Sequence, residues 1–90
     1  MKKKIIIKVF GDVQGVFFRT FVKEKASELG LVGWVRNAKD RMVELLAEGE
    51  EENLKKMIDY CKEGPKFAKV DRTEVKWEEA VGEFQEFMIR

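Results

Sequence analysis

Histidine is missing from the 90-residue chain altogether. That removes the commonest general base and the commonest metal ligand together. Cys61 is the only cysteine, which excludes an intramolecular disulfide and a multi-cysteine metal site. No apolar run approaches the length of a membrane span. Lys2, Lys3 and Lys4 look like the start of a signal peptide, but the apolar stretch behind them breaks at Lys8, too early for its hydrophobic core. A cytoplasmic protein with no membrane partner is therefore expected. An excess of one charge is lacking too: 18 Lys and Arg stand against 17 Asp and Glu, a net of +1. Nucleic-acid binders need a clustered basic surface, so nucleic acid is not an expected partner. Only two Asn and two Gln accompany a charged fraction of 39%, which hints at a heat-adapted source.

What is present suffices for one small core. A hydrophobic fraction of 44% with seven Phe fits a single domain over residues 1–90. Lys4 to Phe10 reads as a strand, with Ile5, Ile7 and Val9 on one face. Phe18, Phe21, Val22, Ala26 and Leu29 then form a helical stripe, which Gly30 stops. Leu31 to Asn37 and Met42 to Glu48 read as strands of a hairpin, joined by Ala38-Lys39-Asp40-Arg41. Leu54, Met57, Ile58 and Cys61 carry a second helical stripe that ends at Gly64-Pro65. Asp71 to Glu78 alternates again, and Phe87 to Ile89 offers a short last strand. The order β-α-β-β-α-β predicts an α+β ferredoxin-like sandwich, an antiparallel sheet with both helices on one face. Cys61 is expected in the core, and Trp34 and Trp77 are expected to cover it. The acidic run from Glu48 to Glu52 reads as a solvated helix start.

The stretch Gly11-Asp12-Val13-Gln14-Gly15-Val16-Phe17-Phe18-Arg19 joins the first strand to the first helix. Backbone N–H groups at a helix N-terminus can converge on one anion, and glycine permits its close approach. Residues 16 to 18 supply no Ser, Thr, Asp or Asn cap. Arg19 sits where the helix dipole disfavours a cation by about 0.3–1 kcal/mol. A bound phosphate resolves both oddities, since arginine suits bidentate contact with phosphate oxygens. On spacing alone, a helix capped at Gly15 with a solvated Arg19 stays open as the blander arrangement. No Gly-Lys-Ser/Thr follows, so a nucleotide is not indicated.

The same stretch resembles the first signature of the acylphosphatase family, G-x-V-Q-G-V-x-F-R, at every fixed position. Gly33-Trp34-Val35-Arg36-Asn37, with Val43 and Gly49, resembles the second, departing from it at Arg41, where the family has glycine. The resemblance runs over essentially the whole chain. It implies hydrolysis of acyl phosphates to a carboxylate and inorganic phosphate, without metal or cofactor. By the resemblance, Arg19 binds the substrate phosphate with the backbone around Gln14, Gly15, Val16, Phe17 and Phe18, and Asn37 orients the attacking water. Asp12 stands where relatives often carry a basic residue, which weakens phosphate attraction. Lys23 shares the helix face of Arg19 and reads as a solvated lysine.

Other occupants of this fold fit less well. RNA-binding members stack bases on central-strand aromatics, and Met42 to Glu48 has none. An inactive regulatory or binding module of the same family is the remaining alternative, opposed by the intact Arg19 and Asn37. The same signatures begin large carbamoyl-transfer maturation proteins; the present chain reads as a freestanding monomeric enzyme.

Overall fold

Ile5, Ile7 and Val9 alternate with Lys4, Ile6 and Lys8, the pattern of a strand buried on one face. The computed structural model, which describes residues 1–90, forms strand β1 there, over Lys2–Asp12. The helical stripe gives α1 (Phe18–Glu28), with Phe18, Val22 and Ala26 buried and Phe21 and Leu29 packed at the margin. Strands β2 (Val32–Asn37) and β3 (Val43–Glu50) follow, then helix α2 (Glu51–Glu63). Glu51 and Glu52 occupy the first turn of α2, where the dipole favours them. Gly64, at φ 74°, ends the helix by donating its N–H to the Tyr60 carbonyl at 2.8 Å. Strand β4 (Lys69–Glu79) begins earlier than the alternation suggests, so Asp71-Arg72-Thr73 lies inside it. Strand β5 is Phe87–Ile89.

The sheet runs β4-β1-β3-β2-β5. The first four strands pair antiparallel, as expected, but β5 pairs parallel to β2. The sheet is therefore mixed. The segment leaving β4 has to cross from one sheet edge to the other before β5, and it arrives in the direction of β2. Ile5, Ile7, Val9, Val35, Val43, Leu45, Ala47 and Phe87 form one core with α1 and α2 residues, so both helices cover the same face.

Two expectations about individual residues need correction. Trp34 does not cover the core: it pairs with Leu46 on the helix-free face, while neighbouring Val35 is buried. There the guanidinium groups of Arg36 and Arg90 lie 4.9 and 5.2 Å from its ring centre, a cation–π arrangement. Trp77 stands opposite Ile5 but remains 41% exposed, because β4 is an edge strand. Glu48 is not part of a solvated helix start. It is 4% exposed and accepts the N–H groups of Val81 and Gly82 at 2.9 and 3.0 Å, pinning the β4–β5 connection.

Candidate active site

The end of β1 is bent to feed the loop that follows. Its register with β4 shifts between Phe10 and Gly11, a bulge that re-aims the strand. Gly11 has φ 133°, and a Cβ there would run into the Lys69 carbonyl, so no other residue fits. Past the bulge, Gly15 and Phe17 both take positive φ, 74° and 62°, while Val16 between them does not. Backbone that alternates hand in this way turns successive N–H groups inward, the geometry of an anion nest.

Phe17 is the residue preceding α1, in the left-handed region, and no side chain caps the helix. The first protein-internal bond of the helix runs from Phe21 N–H to the Phe17 carbonyl at 3.0 Å. The N–H groups of Phe18, Arg19 and Thr20 therefore find no backbone acceptor and present a positive helix end. Phe18, only 1% exposed, anchors this end in the core. Burying such a side chain contributes about 1.5–3 kcal/mol, so the nest is rigidly tied to the fold.

Arg19 and Asn37 meet in one cavity of about 290 Å³, with Val13, Gly15, Phe17, Phe18, Thr20 and Ile89 as the other walls. Arg19 comes from the first turn of α1 and Asn37 from the last residue of β2. The hydrogen bonds and ion pairs between protein groups leave both side chains free. A cation, a row of inward N–H groups and a neutral amide thus face one space. That set suits a phosphoryl group with a water beside it. A larger groove of about 530 Å³ on the β4 edge is lined by Glu51, Glu78 and Glu79 as well as Lys3 and Lys55, and its carboxylates repel an anion. No cluster of three or more Cys, Asp or Glu side chains is placed to hold a metal ion.

The acylphosphatase family model matches residues 5–89. The chain belongs to the acylphosphatase family. It is 45% identical to an acylphosphatase of Methylococcus capsulatus over 87 residues, covering 97% of this chain and 95% of that one. An acylphosphatase of Caldanaerobacter subterraneus is 42% identical over 89 residues, covering 99% of both. The crystal structure of acylphosphatase from Bacillus subtilis superposes with a TM-score of 0.94 at 39% identity, covering 100% of this chain and 99% of that one.

Within this acylphosphatase, not every residue expected at the site lines it. Gly15, Phe17, Phe18, Arg19 and Asn37 do; Gln14 and Val16 do not. Val16 packs against the core. The Gln14 amide donates to the carbonyls of Ala38 and Met42, at 3.1 and 2.9 Å, across the β2–β3 turn. Asp12 and Lys23 are exposed and outside the cavity walls. Three wall residues went unforeseen: Val13, Thr20 and Ile89. Thr20 follows Arg19 in the first helical turn and its position was readable from the helix start. Ile89 reaches the cavity only through the parallel docking of β5, which no local pattern announces.

Proposed function

We propose a division of labour for acyl phosphate hydrolysis in which Arg19 and the N–H groups around residues 15–19 hold the phosphoryl group, and Asn37 orients the attacking water. The reading is carried by one observation: the free guanidinium, the unpaired helix N–H groups and the free amide border the same cavity. An acyl phosphate is already activated, so no strong nucleophile has to be generated. The demands are placement of water in line with phosphorus and stabilisation of charge on the phosphoryl oxygens.

In this scheme the water oxygen bonds to phosphorus while the carboxylate leaves with the electrons of the P–O bond. The water's proton passes to a phosphoryl oxygen, because an amide is no useful proton acceptor near neutral pH and the chain has no histidine. Products are a carboxylate and inorganic phosphate, without a covalent phosphoenzyme. The same reading takes the enzyme as a cytoplasmic monomer acting on a small molecule and not on nucleic acid, a view supported by the near balance of charge.

Arg19→Ala should lose turnover and phosphate binding together, since the arginine contacts ground and transition states alike. Asn37→Ala should lose mainly turnover. Release of phosphate from benzoyl phosphate, with inhibition by inorganic phosphate measured in each variant, tests the assignment. Retained phosphate inhibition in Arg19→Ala with lost inhibition in Asn37→Ala means that the roles are reversed.

A further inference from the structure

We infer that Gln14 is a positioning residue: its side-chain amide fixes the hairpin bearing Asn37 against the phosphate cradle. The inference builds on the roles proposed above for Arg19 and Asn37.

The cradle and the hairpin tip have little else in common. The ladder between β1 and β3 ends at the pair Val9–Val43, and beyond it the two chains separate. No backbone hydrogen bond joins residues 13–17 to residues 37–42. Gln14 bridges that gap with both of its amide hydrogens. One goes to the Ala38 carbonyl, one residue past Asn37, at 3.1 Å; the other goes to the Met42 carbonyl at 2.9 Å. The Met42 carbonyl also accepts the Ala38 N–H at 2.8 Å, so both of its lone pairs are used and the turn is closed across its base. The site is partly buried, which shields these bonds from competing water.

The side chain is chemically specified. Two carbonyl acceptors a turn apart call for two diverging hydrogens on a neutral group. A glutamate there would set its carboxylate against two carbonyl oxygens, and a shorter asparagine would not span both. The tip also has a reason to move: Asp40 and Arg41 both hold positive φ, a conformation that favours relaxation elsewhere. Gln14 restrains that tendency where it would displace Asn37.

Water placement is sensitive to such displacement, because a shift of about 1 Å can cost about 100-fold in rate. Gln14→Met, which keeps the volume and loses both donors, should lower kcat by about 10–100-fold on that scale. Inhibition by inorganic phosphate should stay within about twofold, since the cradle is untouched. In an Asn37→Ala background, Gln14→Met should cost nothing further. Hydrogen exchange at the Ala38 amide should quicken, while the exchange of α1 core amides stays unchanged.

Full kcat in Gln14→Met overturns the inference. So does an equal loss in both backgrounds, or a fall in phosphate inhibition that tracks the fall in turnover. If Asn37→Ala itself keeps full turnover, the proposed role of Asn37 fails. The exchange result then still decides the tether: faster Ala38 exchange upholds it, and unchanged exchange refutes it.

Discussion

Replacing Arg41 by glycine should stabilise this protein. The β2–β3 hairpin closes through Lys39, Asp40, Arg41 and Met42, with the Met42 N–H bonded to the Lys39 carbonyl at 3.3 Å. Asp40 stands at φ 60°, ψ 31° and Arg41 at φ 63°, so both central residues are left-handed, the arrangement of a type I′ turn. The positive φ of Arg41 falls at the position where the family has glycine, the residue that adopts it without steric cost. An L-residue with a Cβ is disfavoured there by about 1–2 kcal/mol. Against that gain, a new glycine adds unfolded-state freedom worth about 0.4–1 kcal/mol. Arg41 is exposed and forms no ion pair, so its removal sacrifices no contact. The balance is a net gain of about 0.5–1 kcal/mol, or about 2–8 °C in Tm for a chain of this size. Urea titration of both proteins should show a higher midpoint with an unchanged slope. Asp40→Gly should gain less, because aspartate tolerates this region through local hydrogen bonding. A lower midpoint for Arg41→Gly would refute the strain argument, and a changed slope would move its cause to the unfolded state.

Three further outcomes follow from particular contacts. Burial pushes the Cys61 thiol from the usual 9.0 up to about 12. The unfolded chain therefore ionises first as pH rises from 9.0 towards 12, and stability is lost across that window; Cys61→Ala should remove this part of the alkaline slope, read from urea midpoints at stepped pH. Glu48→Ala should lower the unfolding free energy by about 1–3 kcal/mol, as the Val81 and Gly82 N–H groups lose a charged acceptor; kcat should change less than twofold, and a loss of activity without a loss of stability would contradict a purely anchoring role. Hydrolysis of benzoyl phosphate should proceed unchanged in EDTA, because no side-chain cluster is placed to hold a metal; a loss restored by a divalent ion would overturn the scheme.

Most of the fold was legible because its signals are local. The stripe of Phe18, Val22 and Ala26 can bury itself only as a helix, and Leu54, Met57 and Cys61 repeat the pattern. Strand ends were misjudged by a few residues, where pairing with a neighbour extends a strand beyond its own alternation, as β4 does back to Lys69. Trp34 was misread although its neighbours carried the answer: Gly33 and Val35 share the buried face, which puts Trp34 opposite. The direction of β5 and the burial of Glu48 were not legible at all. Both depend on where the connection after β4 lands, and that is settled by contacts between residues 33 or more positions apart.

The loop before α1 stands out for a different reason: it breaks local rules in ways that would compensate one another around an anion. A helix without a cap leaves its first N–H groups unpaired, and Arg19 in its first turn opposes the dipole. The structure adds a third departure. Phe17 is held in the left-handed region and is 77% exposed, at a cost of about 1–2 kcal/mol that no core contact repays. Each departure destabilises the free protein, yet all three face one cavity. Phosphate in that cavity would accept the N–H groups, neutralise Arg19 and make use of the chain direction that Phe17 imposes. On the proposed reading, the strain marks the part of the chain shaped for a ligand and not for the core. Gln14 escaped the same reading because it breaks no rule. Its side-chain NH2 is satisfied by two carbonyls 24 and 28 positions away, and a satisfied long-range bond leaves no trace in a local pattern.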